Sequence, residues 1–106
     1  MMKPIFVTHD GALTPVDPLE IVCMRVDNNY THIFLSNKTY CIVSLSLTEV
    51  LRRLPDDIFI RTGRSYAVSV YFIERIEKTV MTVAGEPIPI ARGKYGKVLE
   101  KLVVLR

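Results

Sequence analysis

Arg61, Arg64 and Ser65 fall together around Gly63 in the stretch FIRTGRSYAV, and Arg92, Gly93, Lys94 and Lys97 fall together in ARGKYGK. Each group sets cationic donors beside a glycine and a hydroxyl-bearing or aromatic residue. Glycine lets main-chain N–H groups approach a phosphate, serine can donate to it, and arginine can also fork onto O6 and N7 of guanine. The chemistry this combination suits is recognition of a nucleic-acid backbone with some reading of base edges. An ordinary solvated basic face is the other reading of the same residues.

The charge distribution bears on that choice. The chain has 106 residues and a formal net charge of +3, but residues 1–51 hold three basic and five acidic side chains, whereas residues 52–106 hold eleven basic and six acidic. A positive field confined to one half is the pattern expected where a polyanion is met on one side.

Catalysis has little to work with. A reactive centre needs a nucleophile or metal beside groups of tuned pKa. The two histidines are His9, next to Asp10, and His32. Without further ligands they leave a coordination sphere incomplete, so no metal is expected. Cys23 and Cys41 each lie in an apolar run, with no CxxC or Cys/His array, and read as reduced core thiols. The glycines near basic residues match neither a P-loop nor a dinucleotide fingerprint, so no cofactor is expected either. The chain reads as a non-enzyme.

The elements that must hold the basic loops come from periodicity. With 49% hydrophobic and 24% charged residues, the chain fits one soluble domain, and no apolar run approaches the roughly 20 residues that span a bilayer. Its N-terminus lacks the pattern of a secretory signal, so a cytoplasmic location is expected. Residues 1–18, with Pro4, Pro15 and Pro18, read as an N-terminal arm with one short strand at Ile5 to Thr8, and residues 19–106 as a single domain. From Leu19, the runs LEIVCMRV, YTHIFLS and YCIVSL, separated by DNN and NKT, predict three antiparallel strands joined by tight turns. These turns lie at opposite ends of the meander.

Ser46 as cap, Glu49 three residues on, and Leu47, Val50, Leu51 and Leu54 at helical spacing predict a helix with a capping box, stopped by Pro55. Arg52 and Arg53 read as its solvated face. The segment FIRTGRSYAVSVYFIERI then predicts a loop and a long strand, with Val68, Val70 and Phe72 on one alternating face. Another strand follows around Val80 to Val83, ending at Gly85. Ile88 and Ile90 form a short strand that Pro87 and Pro89 confine to an edge. Tyr95, Val98, Leu99 and Leu102 predict a C-terminal helix.

In this order the features resemble the LytTR family of bacterial DNA-binding domains. The matching pieces are LEIVCMRVDNNYTHIFL, SLTEVLRRLPDDIFIRTGRSYAVSVYFIERI with its F-x-R-x-x-[RK]-S-x-x-V segment, and GEPIPIARGKYGKVL with G-x-x-I-P-[VI]-[SA]-R. They cover about residues 19–102. The chain departs from the family's pattern at Gly63, Ser69 and Ala91, where His, Asn and Ser are common.

The resemblance implies a mainly β, elongated fold of stacked antiparallel sheets, with one short helix after the third strand and a short C-terminal helix. It also implies reading of double-stranded promoter DNA by loops, on direct repeats that two copies can occupy as a dimer on DNA. Carried over by position, the first loop is Asn28 and Asn29, the second Arg61, Arg64 and Ser65, and the third Arg92, Gly93, Lys94 and Lys97. Arg64 is expected to read a base, and Arg61 to be structural or phosphate-facing. For Asn28 and Asn29, turn formation and adenine contact both remain open.

Many relatives carry a receiver domain, for which 106 residues leave no room. Input is therefore expected from a separate signalling protein, if the protein does not work alone. The alternative function is a non-catalytic protein-interaction module that retains the fold and binds through an exposed edge such as that around Ile88.

Overall fold

The computed structural model describes residues 3–106. Its elements, in chain order, are β1 (Ile5–His9), β2 (Ala12–Val16), β3 (Ile21–Asp27), β4 (Tyr30–Leu35), β5 (Tyr40–Val43), α1 (Leu47–Arg53), β6 (Phe59–Arg61), β7 (Tyr66–Ser69), β8 (Ile73–Ile76), β9 (Val80–Val83), β10 (Glu86–Pro89) and α2 (Tyr95–Glu100). The strands form three antiparallel sheets: a central one in the order β5-β4-β3-β7-β6, a second in the order β10-β9-β8, and the hairpin β1-β2. The body is elongated, 46 × 32 × 24 Å.

The layers follow from strand alternation. In β6 and β7, Phe59 and Ala67 point to one face of the central sheet while Ile60 and Val68 point to the other. Both faces are apolar there, so both are covered. One side carries α1 and the hairpin, which pack Leu47, Val50, Leu54 and Val16 against Ile21, Met24 and Ile33. The other carries the three-stranded sheet and α2, which pack Met81, Val83, Ile88 and Val98 against Val22, Ile60 and Val68. At about 1.5–3 kcal/mol per fully buried large apolar side chain, each layer is held by burial more than by its own short elements. Toward β4 and β5 the second covering stops, leaving Tyr30, Tyr40 and Ile42 exposed.

Helix α1 begins as its sequence predicts: the Ser46 hydroxyl accepts the Glu49 N–H at 3.1 Å. The reciprocal half of the capping box does not form, because the Glu49 carboxylate is held by Arg52 and Arg53 instead. The helix follows the third strand of the meander, which is the fifth in the chain once the hairpin is counted.

Three segments differ from the reading of the sequence. Phe59–Arg61, where a loop was expected, is strand β6, paired antiparallel with β7. Residues 5–16 form a paired hairpin where one strand was expected, turning at Asp10 and Gly11 with φ of 50° and 77°. Asp-Gly between alternating runs is a strong hairpin signal, and the inward face of Ile5, Val7 and Val16 docks the hairpin on the core.

The long strand after Arg64 is broken. Strand β7 ends at Ser69, whose hydroxyl accepts the Tyr71 N–H at 3.2 Å. Val70 to Phe72 make a turn of 3-10 helix, and β8 joins the other sheet. Val68, Val70 and Phe72 still reach one apolar cluster, but from a strand and a turn rather than one alternating face.

Candidate nucleic-acid interface

The three basic or polar loops come from two hairpins, β3–β4 and β6–β7, and from the connection between β10 and α2, and backbone hydrogen bonds gather them. Asn28 and Asn29 form the β3–β4 turn, with Asn28 at φ 55°, so a turn-forming role for Asn28 is met. Strand β7 runs antiparallel beside β3 with Arg25 opposite Tyr66, and the Val26 N–H donates to the Ser65 carbonyl at 2.8 Å. That bond sets the first turn against the 62–65 loop. The third loop, leading from β10 into α2, adjoins the second, where the Ala91 N–H donates to the Thr62 carbonyl at 2.7 Å. The β4–β5 turn around Ser36 to Thr39 lies at the opposite end of the meander.

Within the second loop the two arginines do different things. Arg61 is exposed and lines the same groove as Arg64, but its guanidinium is spent within the protein: its Nε donates to the Gly63 carbonyl (3.0 Å), one terminal nitrogen to the Arg64 carbonyl (2.9 Å) and the other to the Thr48 hydroxyl on α1 (2.8 Å). It ties the loop into shape and fastens it to the helix. Arg64 and Ser65 are exposed, and no side-chain hydrogen bond occupies them among the described residues.

Arg64, Lys94, Lys97 and Lys101 wall a groove of about 490 Å³, with Leu51, Phe59 and Ile60 among its apolar lining and Asp56 as its one carboxylate. Lys94, Lys97 and Lys101 recur at the three- and four-residue spacing of one helix face, which brings them to the same wall. Lys101 and Thr48 are the residues that the loop motifs alone do not select; the helical spacing would have found the lysine. Arg92 and Gly93 are exposed on the loop outside the groove lining, Gly93 turning the chain at φ 81°. Asn28 and Asn29 follow Val26, which bonds Ser65, and do not line the groove.

Electrostatics separates this wall from the other basic pair. On α1, Glu49 takes hydrogen bonds from Arg52 at 2.9 and 2.6 Å and from Arg53 at 2.8 Å. Those bonds hold the carboxyl down to about 2 from its ordinary 4.5. Arg64, Arg92, Lys94, Lys97 and Lys101 enter none of the ion pairs formed among the described residues.

Elsewhere, His9 faces Asp10 at 3.4 Å and His32 faces Asp27 at 3.7 Å. Among the described residues no three His, Cys, Asp or Glu gather as a metal site, and no helix is long and apolar enough to cross a membrane. Both cysteines are free, and burial pushes both thiols up.

The family model of the LytTr DNA-binding domain matches residues 11–103. No curated protein matches the chain. Among solved structures, the chain is similar to the LytTr DNA-binding domain of a protein from Bacillus cereus described as a methyl-accepting/DNA response regulator. The TM-score is 0.79 and the identity 21%, over 92% of this chain and 94% of that one. The similarity is one of fold: mainly β, antiparallel, with two helices.

Proposed function

Since the chain belongs to the LytTR family of DNA-binding domains, we propose that it binds specific double-stranded promoter sites through its loops and regulates transcription there, without catalysing a reaction. The observation that carries this reading is the gathering of three loops by two backbone hydrogen bonds, with five cations that enter no ion pair among the described residues. Phosphate contacts position such a protein and a few side chains specify bases.

Lys94, Lys97, Lys101 and Arg92 take phosphates, helped by the Ser65 hydroxyl and by the main chain at Gly93. Arg64 reads a base, and Asn28 and Asn29 reach an adenine or the adjoining backbone. Arg61 positions the second loop through its bonds to Gly63, Arg64 and Thr48. The binding body runs from residue 19 to 106, with the N-terminal hairpin packed on its core. Two copies occupy a direct repeat, a separate signalling protein supplies the input, and the DNA is met in the cytoplasm.

Selection of binding sites from random duplex DNA tests the reading. A sharply enriched motif with two half-sites is expected; no enrichment rejects it.

A second reading, a protein-interaction surface, is favoured by the uncovered half of the central sheet, where Tyr30, Tyr40 and Ile42 are 49%, 53% and 43% exposed. The edge at β10 supports it less. Proline cannot donate, so pairing with β9 turns the nitrogens of Pro87 and Pro89 to the open side, where they offer an added strand nothing. Capture of a protein without DNA dependence, together with a failed selection, would decide for this second reading.

A further inference from the structure

The second and third loops meet where the Ala91 N–H bonds the Thr62 carbonyl, and there Gly63 lies against exposed Ala91. Gly63 is buried, and its φ lies outside the left-handed region, so an alanine there meets no backbone strain. What an added methyl would meet is the Ala91 Cβ at 3.0 Å, with Ala91 N at 3.8 Å and Cα at 3.9 Å behind it.

Ala91 has little freedom to withdraw. Its N–H is bonded to the Thr62 carbonyl at 2.7 Å, its carbonyl accepts the Lys94 N–H at 3.0 Å, and the preceding Ile90 is buried with its N–H on the Thr79 carbonyl at 2.9 Å. The Gly63 side is equally fixed, since the Thr62 N–H is bonded to the Tyr66 carbonyl at 3.1 Å and Arg61 grips the Gly63 carbonyl. A close-packed contact held this way passes a displacement on to what it carries. On one side it carries Arg64 and Ser65, on the other Arg92 and Lys94.

We propose that Gly63 and Ala91 are a positioning pair: their combined side-chain volume fixes the spacing between the second and third loops, and through it which DNA sites the protein selects, without either side chain reading a base. This inference rests on the proposed DNA-binding role. The single methyl between the loops is the spacer, and it can be supplied from either side.

Three variants of the full chain test this: Gly63→Ala, which adds a second methyl; Ala91→Gly, which removes the only one; and the double variant Gly63→Ala/Ala91→Gly, which moves the methyl across the seam. On the motif selected by the wild type, Gly63→Ala is expected to bind about tenfold or more weakly, while its affinity for mixed-sequence duplex at low salt stays within about threefold. The double variant is expected to recover most of the lost affinity and the wild-type motif, which a general loss of structure would not allow.

The proposal is overturned if Gly63→Ala binds the selected motif like the wild type, or if the double variant is folded and as weak as Gly63→Ala. Should Gly63→Ala fail to fold, a folded double variant with the wild-type motif supports the proposal and an unfolded one overturns it. If the wild type itself enriches no motif, the DNA-binding role has failed and thermal unfolding decides the seam alone. A Tm lowered by Gly63→Ala and restored in the double variant supports the spacer, and equal Tm values reject it.

Discussion

Two short helices each carry basic side chains, and they differ in what faces those charges. On α1, Arg52 and Arg53 converge on the carboxylate of Glu49, so two cations and one anion form a closed surface cluster. On α2 and its flanks, Lys94, Lys97 and Lys101 wall a groove with Arg64, and the single carboxylate there, Asp56, forms no ion pair with any of them. Basic clusters that look alike in the sequence thus differ in how much of their charge is neutralised at the surface. Clustered, unneutralised cations can neutralise phosphates and release the counter-ions condensed on them, and that release drives the salt-dependent part of nucleic-acid binding. The cations of the α1 cluster are already paired with Glu49.

The comparison can be broken most severely at the lysine wall. Replacing Lys94, Lys97 and Lys101 together by alanine is expected to weaken binding to the selected duplex by about a hundredfold or more at low salt, measured by fluorescence anisotropy. The Arg52→Ala/Arg53→Ala variant in the same assay should stay within about threefold. Comparable losses in the two variants would mean that the α1 cluster also meets DNA.

Next in size is Arg64→Ala, expected to cost about 1–3 kcal/mol on the preferred site and to relax preference at one base position. A uniform loss across all sequences would make Arg64 a phosphate contact instead. Arg61→Ala should cost less and differ in kind, because Arg61 releases both the second loop and Thr48 when removed; its expected mark is a broadened motif, and Thr48→Ala should reproduce part of it.

Smaller still is the effect of Glu49→Gln, which frees Arg52 and Arg53. Non-specific affinity should rise about two- to threefold, with the selected motif unchanged. The same substitution exposes a pH dependence of stability. Because the folded carboxyl is held at about 2, below its ordinary 4.5, its contribution is present above that ordinary value and is lost as pH falls through about 2. The difference in Tm between wild type and Glu49→Gln should therefore be level at neutral pH and close between pH 4.5 and 2. A difference that widens on acidification would contradict the pairing.

What could be read from the sequence follows how local each signal is. The β3–β5 meander, the Ser46-capped helix and the proline-marked edge strand each declare themselves within a dozen residues, and the structure forms them there. The loops were legible as clusters of arginine, lysine and glycine. Their meeting was not, because it depends on Val26 finding Ser65 and Thr62 finding Ala91 across different strands.

The separate roles of Arg61 and Arg64 were already expected from the resemblance, but the partner that holds Arg61, Thr48 on α1, was hidden, because it comes from a different element. The hairpin at Asp10-Gly11 was a missed local signal, obscured by Pro4, which precedes β1, and by Pro15, which stands in β2 of a two-stranded sheet with free edges. The break after Ser69 came from a side-chain cap that competes with strand pairing, a choice the apolar run does not reveal.

The measurement that most directly tests DNA binding by this cationic wall is the salt dependence of affinity for the selected duplex. At roughly 0.9 per neutralised phosphate, four contacts from Arg92, Lys94, Lys97 and Lys101 give a slope of log K against log salt of about −3.6, falling to about −1 in the triple lysine variant. A wild-type slope near zero, or one unchanged by removing the three lysines, would contradict it.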